Sequence, residues 1–478
     1  MAKMPPNGGR RQRRWWFLAS ALAAVLLLAV WRPLGVRVVA RTFSLAAVWA
    51  PLIVRSSPQA TVAAFEKSGP VFIKLAQWLS TRRDLLSVEL CDGMAELHER
   101  VNLPSMPADV HAAERVVPGL KTGKLLGGGS VAQVFEGEMK QKSGTLRVAV
   151  KVRRTGVNSL LDTDMAILRL AAKLMELLRP QLQWLALGSA VENFRGYMEQ
   201  QVNLTIEAEN LRRLGENFGP VRAVEVPEVY FSTDGIMVTS VAEGVSLSEF
   251  VKMKKTEKVR EAVFEALTDL MARMILKDHF IHGDLHPGNV FIDVSDSPGR
   301  VVRPVITLID AGISIQMEDS LQEMARKSML AALNRDAPGL GEAVVKLHTA
   351  EGLCTHARKV DKLAEDLGYL LMAGCFMSDE ATWSRHFASY EEYRGSRVSE
   401  YFVKMLELLS NHRVRVSPSL WALMTAFALI EGSVAELGFG VNVLRSAAPY
   451  IFSPVDFFGR FRLSSRASES EKEHRDGR

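Results

Sequence analysis

The sequence predicts an α+β fold, a strand-rich segment followed by a mainly helical one, behind an N-terminal helical block and a single membrane helix. Three observations predict it. Short β-branched runs at Val148–Val152, Val290–Ile292 and Val305–Ile309 are bounded by turns rich in Gly, Asp and Asn. Beyond Gln316, four stretches (Gln316–Asn334, Leu340–His348, Val360–Leu371 and Val398–Leu409) repeat apolar residues at helical spacing. Near the N-terminus, residues 15–31 contain no charged side chain.

At 478 residues the chain is long for one core, so two or three structural units are expected. Its net charge of +5 is unevenly spread. Residues 1–60 hold nine Lys or Arg and no Asp or Glu, and subtracting those nine from +5 leaves −4 for the rest. A basic balance set by a leader does not indicate nucleic acid as a partner. Cys91, Cys354 and Cys375 lack CxxC spacing, which argues against a disulfide framework or a zinc site and fits a reducing compartment.

Arg10-Arg11-Gln12-Arg13-Arg14 precedes the uncharged run Trp15–Trp31, which Arg32-Pro33 closes. Seventeen residues at ~1.5 Å each span about 25 Å, the short end for a membrane helix. Trp15, Trp16 and Trp31 lie at its ends, where interfacial aromatics belong. A second apolar stretch, Leu45–Val54, is interrupted by Pro51 and too short to cross alone. A secretory signal would also start basic and continue apolar, but few cysteines argue against secretion. The expectation is an organellar, mitochondrial leader with one membrane-spanning helix at about 15–31.

Residues 62–118 read as a helical block. Val62–Lys67 is a short turn of helix broken at Gly69, and Pro70 suits the start of a helix to about Ser80. Val88–Val101 makes another, and Pro107 opens a further one. Next, Gly127, Gly128 and Gly129 form a turn between two strands, where glycine lets backbone amides approach phosphates. Some twenty residues later Lys151 stands inside the apolar strand Val148-Ala149-Val150-Lys151-Val152. A lysine buried there requires an anionic partner. Ser189 then opens a long helical stretch to Leu214, and Val224–Phe231 and Gly235–Val241 read as strands.

The most informative string is His282-Gly283-Asp284-Leu285-His286-Pro287-Gly288-Asn289, with Asp310-Ala311-Gly312 about twenty residues on. A helix over Val259–Asp278 buttresses it, and Asp284, Asn289 and Asp310 sit on short loops between apolar strands. This resembles the catalytic and metal-binding loops of the protein-kinase fold. The resemblance implies a bilobal kinase-like fold that takes ATP and Mg2+. It implies Asp284 as the catalytic-loop aspartate, Asn289 and Asp310 as metal ligands, and Lys151 on the phosphates. Ala242–Ser246 resembles the interlobe hinge. Ala311 replaces the aromatic usual in Asp-Phe-Gly, so switching by that ring is not expected.

Further motifs resemble the UbiB-like, aarF-domain family of atypical kinases, over roughly residues 62–450. Lys74-Leu75-Ala76-Gln77, followed by Ser80-Thr81-Arg82-Arg83-Asp84-Leu85-Leu86, is similar to the family's Lys-x-Gly-Gln helix, with Ala76 for glycine. The resemblance implies that Lys74 and Gln77 gate the active site. Ser130, Ala132, Gln133 and Val134 match the end of the family's nucleotide loop, with glycines where its alanines stand. It implies a nucleotide site of Gly127, Gly128, Gly129, Ser130, Gln133, Val134, Ala149 and Lys151. The family's acidic helix picks out Glu207 as the partner of Lys151, while Gln201 and Asn203 replace its first two acids.

The expected organisation is a leader over 1–60, a helical extension over 62–118, a kinase-like N-lobe over 119–245, a C-lobe over 246–455 and a polar tail over 456–478. The family implies a role in coenzyme Q (ubiquinone) biosynthesis or quinone and lipid homeostasis at the mitochondrial inner membrane. Its partners would be ATP, the membrane and quinone-pathway proteins, with a homodimer left open. Two other readings stand beside it: a small-molecule phosphotransferase of the aminoglycoside or choline kinase type, and a catalytically weak nucleotide-binding scaffold.

Overall fold

The computed structural model describes residues 33–424 except 55–56, 81–85, 99–105, 143, 180–185, 220–222, 254, 295–302, 375–383, 391, 393–397, 418 and 422, together with residue 437. Prolines open the first three helices, α1 (Pro33–Val54), α2 (Pro58–Lys67) and α3 (Pro70–Leu79), where a missing N–H costs nothing. Ser57 caps α2 by accepting the Ala60 N–H. The expected helix Val88–Val101 is shorter: α4 covers Val88–Ala95, a 3₁₀ turn follows at Glu96–His98, and Val101 lies outside the described residues. Pro107 does not open α5 (Val110–Val116); Asp109 caps it by accepting the Ala112 N–H.

The expectation of a single membrane helix is overturned. Among the described residues no helix is long and apolar enough to cross a membrane, and the run 15–31 lies outside them. The second apolar stretch, Leu45–Val54, is the end of α1; it is too short to span, and its Leu45 and Trp49 pack within the protein. Leu45 is buried with Phe65, Phe72, Ile73 and Met94. Trp49 meets the Phe65 ring edge-on at 4.9 Å and donates its indole N–H to Ser68 Oγ at 2.9 Å. Arg41 in the same helix binds both oxygens of buried Asp164, at 2.7 and 3.0 Å, and the Ser68 carbonyl. A hydropathy count cannot separate these two fates, because both need an apolar face.

Strands β1 (Leu120–Gly128), β2 (Ala132–Gln141) and β3 (Gly144–Arg153) join β5 (Val229–Ser232) and β6 (Ile236–Ser240) in an antiparallel sheet ordered β1-β2-β3-β6-β5. Alternation along β3 buries Val148, Val150 and Val152 in a core with Ala113 and Val238. Lys151 therefore projects from the opposite face, in register with Val134 and Met237.

Helices α6 (Val157–Leu178), α7 (Leu187–Val202) and α8 (Leu204–Phe218) follow β3. The single helix expected from Ser189 to Leu214 is two. Asn203 takes an extended conformation, φ −105°, and its side chain accepts the Thr205 N–H at 3.0 Å as the cap of α8. Asparagine competes well with helical backbone, so the break has a local cause.

Beyond β6 the chain leaves the sheet through residues 241–244. Gly244 has φ +88°, and a Cβ there would collide with the Ile292 carbonyl, so only glycine fits. β7 (Val245–Ser246) then pairs with β9 (Val290–Val294), which pairs with β10 (Pro304–Leu308) and, beyond it, β4 (Val224–Glu225). β8 (Phe280–His282) pairs with β11 (Ser314–Gln316). Helices α9 (Leu247–Lys252), α10 (Glu257–Leu276), α11 (Asp319–Leu333), α12 (Ala337–Ala350), α13 (Val360–Gly374) and α14 (Val398–Asn411) complete this half. On α10, Val263, Leu267, Leu270, Met271, Met274 and Ile275 are buried at helical spacing in the same core as Leu285, Ile306 and Leu308. The string from His282 to Asn289 thus rests on a packed helix. The apolar stretch after Ser417 and the polar tail fall mostly outside the described residues.

Candidate active site

Three elements meet at Lys151. Its Nζ donates to Glu207 Oε1 of α8 at 2.7 Å and to Asp310 Oδ1 at 2.8 Å. Glu207 is 2% exposed and Asp310 38% exposed, so the cluster opens to solvent on the Asp310 side. Burial opposes charge on Lys151, but the two carboxylates outweigh it and its pKa lies above the usual range. Burial pushes Glu207 up to about 7, against the pull of Lys151. Asp310 is held below the usual carboxylate range: burial raises it, but Lys151 dominates, with Lys74 and His286 adding to the pull.

Asp310 has φ +57°, in the left-handed region that Asp tolerates better than most residues. Its surroundings enforce that shape. The Ile309 N–H donates to the Asn289 carbonyl at 3.0 Å, and Asn210 of α8 donates its side-chain amide to the Ala311 carbonyl at 2.8 Å. His282 is fully buried, with Nε2 3.0 Å from the Ile309 carbonyl. The Asp284 N–H donates to His282 Nδ1 at 3.2 Å, which assigns the proton to Nε2. Burial lowers the His282 pKa, so the ring stays neutral and clasps the two loops together. Asn289 donates its amide to the Asp284 carbonyl at 2.9 Å, so its Oδ1 is the acceptor end of the side chain.

The expected nucleotide residues lie along one edge of the sheet. Gly127, Gly128 and Gly129 are exposed at the β1–β2 turn, with Gly128 opposite Gln133 and Gly127 opposite Val134. Ser130 is 2% exposed and its Oγ has no hydrogen-bond partner among the described residues. Ala149 lies half-buried on β3, two residues before Lys151.

Of the expected gating pair, Lys74 is half-buried on α3 and its charge acts on Asp310. Gln77 is buried, donating to the Leu97 carbonyl at 2.7 Å inside the extension, and its Oε1 has no partner among the described residues. Gln201 is brought to the site: a Cβ on Gly312 would lie 3.8 Å from its Nε2 and 3.3 Å from Asp310 Oδ1. Asn203 is taken up by the α8 cap.

Two residues escaped the sequence reading. Tyr197 lies one turn before Gln201 on α7 and packs on Phe194 with ring centroids 6.1 Å apart. Burial raises its pKa, and the charges of Asp284 and Asp310 raise it further, so the phenol lies within reach of their field. The i, i+4 spacing to Gln201 is the signal that could have found it. Arg154 binds the glycine turn from behind, through backbone carbonyls that leave no pattern in a sequence.

Asp310 and Asn289 offer hard oxygen donors, one anionic and one neutral. Magnesium typically takes one or two protein oxygens and completes its shell with phosphates and water. Among the described residues no group of three or more His, Cys, Asp or Glu is placed to hold a metal alone. The donor set therefore fits an ion that arrives with a nucleotide.

Comparison with known proteins identifies the class. Residues 123–344 match the family described as the ABC1 atypical kinase-like domain, so the chain carries a kinase-like domain of that family. It is 26% identical over 463 residues to the mitochondrial ABC1 family protein YPL109C of Saccharomyces cerevisiae, covering 81% of this chain and 66% of that protein. It is 26% identical over 400 residues to the probable protein kinase UbiB of Tolumonas auensis, covering 81% and 68%. The match thus spans about two thirds of each relative's length. A solved structure from Mycobacterium tuberculosis, the complex of Rv3197 with erythromycin, superposes with a TM-score of 0.50 at 18% identity, over 85% of this chain and 98% of that one. At that identity the likeness concerns the mixed α+β, kinase-like fold. Such a domain implies ATP and magnesium as ligands in general, and a kinase-type phosphotransferase.

Proposed function

We propose that this chain binds magnesium-ATP and transfers or hydrolyses its γ-phosphoryl group. The observation that carries the reading is the meeting of Lys151, Glu207 and Asp310 beside the Asp284–Asn289 loop. Lys151 has three donors and spends two on carboxylates, leaving one for a phosphate oxygen. Glu207 aims the ammonium, and the exposed glycines 127–129 give close approach to the phosphates. Magnesium, held by Asp310 and Asn289, would neutralise charge on the phosphates. Asp284, its backbone fixed by His282, orients an acceptor hydroxyl or water. As the acceptor oxygen bonds to phosphorus and the bond to the departing ADP breaks, the acceptor's proton passes to the Asp284 carboxylate.

This activity would serve ubiquinone biosynthesis in the mitochondrion. The name UbiB of the bacterial relatives and the mitochondrial designation of the yeast relatives support it. The acid-free, Arg-rich residues 1–60 suit import. The decisive test is magnesium-dependent ATP hydrolysis by the full chain beside Asp310→Asn and Asp284→Asn. Each variant is expected to lose about 100-fold or more in turnover. Equal signals from all three proteins would overturn the enzyme reading. Quinone content in cells lacking the chain, restored by wild type but not by Asp310→Asn, tests the pathway.

A further inference from the structure

Arg154 follows β3 directly, is 5% exposed, and reaches back beneath the glycine turn. Its Nε donates to the Gly129 carbonyl at 2.9 Å and its Nη1 to the Met106 carbonyl at 2.8 Å. Its backbone N–H donates to the Val131 carbonyl at 2.8 Å. On the other side of the turn, Gln133 Oε1 accepts the Ala108 N–H at 2.7 Å. The Thr155 N–H donates to the Pro107 carbonyl at 3.3 Å. Three consecutive linker residues, 106–108, are therefore bonded to Arg154, Thr155 and Gln133, which flank the glycine turn.

Apolar packing repeats the connection. Val131, in the turn itself, is buried in one cluster with Val71 of α3, and Met106, Leu75 and Trp78 pack against that cluster. Lys74 and Gln77 lie on the same α3. The turn is thus held from below by a guanidinium and from the side by the extension.

The consequence lies in one peptide unit. Next to a glycine, a peptide can rotate at little steric cost. The amide is planar and trans, so with the Gly129 carbonyl turned to Arg154 the Ser130 N–H points the opposite way. Release of that carbonyl would let it turn outward, placing an oxygen where an anion should meet a donor.

We propose that Arg154 is a positioning residue of the nucleotide site: it holds the Gly129–Ser130 peptide in its phosphate-receiving orientation and, through Met106–Ala108, makes nucleotide affinity depend on the seating of the helical extension. This rests on the ATP-binding reading above. Nucleotide affinity is then sensitive to any partner that displaces the extension, without contact between that partner and the nucleotide.

The test is the Kd of magnesium-ATP by titration calorimetry on the full chain, with steady-state hydrolysis in parallel. Arg154→Met keeps the volume and removes both carbonyl bonds; the loss of charged hydrogen bonds predicts a Kd raised about tenfold or more, while kcat at saturating ATP falls no more than about twofold. Arg154→Lys restores charge and one donor and is expected to recover most of the affinity. An unchanged Kd in Arg154→Met, or equal losses in kcat and affinity, overturns the proposal. Should Arg154→Met fail to fold, Ala108→Pro removes the other tie by deleting the N–H that Gln133 accepts, leaving the nucleotide-site residues in place: a rise of about threefold or more supports the brace, and no change overturns it. Wild-type protein that binds no ATP overturns the parent reading and this one with it. Wild-type binding with unaffected variants overturns the brace alone.

Discussion

Arg41–Asp164 and Lys151–Glu207–Asp310 are both buried ion clusters between elements far apart in the chain, yet they are built differently. In the first, one cation meets one carboxylate, and the carboxylate side chain is wholly inaccessible. Ring contacts and the Trp49–Ser68 bond close around it, and it fastens α1 to α6. In the second, one ammonium serves two carboxylates, and the side of Asp310 stays open. Burial leaves Glu207 pushed up to about 7. A balanced, closed pair holds elements together; an unbalanced, open one keeps charge in store for something that enters. Perturbed carboxylates at such a place are a mark of function.

The sharpest way to break the comparison is to remove each cation. Lys151→Met should cost about 1,000-fold or more in ATP turnover, roughly 4 kcal/mol of transition-state stabilisation. Single-turnover kinetics beside thermal unfolding will show whether the loss lies in chemistry. Arg41→Met should behave in the opposite sense, costing about 3 kcal/mol or more of folding stability while turnover of the folded protein changes little. It strands Asp164, whose pKa burial already raises. For a carboxyl raised in the folded state, stability is kept at acid pH and lost as pH rises through the folded value. The deficit of Arg41→Met should therefore shrink toward acid pH, which urea unfolding at a series of pH values measures. Pairing it with Asp164→Leu should recover most of the loss, because no charge is left stranded.

A smaller effect separates the clusters by size. Asp310→Asn removes the excess acid and leaves Lys151 balanced by Glu207. The Asp310 charge is favoured in the fold by Lys151 but burdens Glu207, so the two effects oppose and stability should change by less than about 1 kcal/mol, even as turnover is lost. A clear fall in melting temperature would mean that Asp310 belongs to the structural kind.

These contrasts also mark what a reader of the sequence could see. The loop from His282 to Asn289 is contiguous, and the clasp of Asn289 on Asp284 forms within it, while that of His282 reaches on to Ile309, next to Asp310. Lys151 was legible because a lysine amid valines on a strand demands a partner; which acid answers was legible only through the family pattern. The membrane helix was expected at 15–31, outside the described residues, and no described helix is long and apolar enough to cross a membrane. What hydropathy could not show is that Leu45, in the shorter apolar stretch, is buried with Phe65 and Ile73 while Arg41 of the same helix pairs with Asp164 of α6. Arg154 was invisible because its ligands are the carbonyls of Met106 and Gly129, and backbone oxygens carry no side-chain signature.

The finest distinction falls at Asn203, an amide where the family pattern has an acid. Its side chain accepts the Thr205 N–H, and Glu207 lies in the first turn of the helix it opens. A cap there fixes the direction of α8, and thereby the aim of Glu207 at Lys151. Asn203→Ala should cost about 1 kcal/mol in stability, the ordinary worth of a lost cap. Asn203→Asp keeps an acceptor of the same reach and adds a charge favourable at a helix N-terminus, so stability should change by less than about 0.5 kcal/mol. If the aspartate variant also leaves the Kd of magnesium-ATP unchanged, position 203 belongs with Arg41, on the structural side of the comparison. A tighter Kd with unchanged stability would instead move it to the side of Asp310.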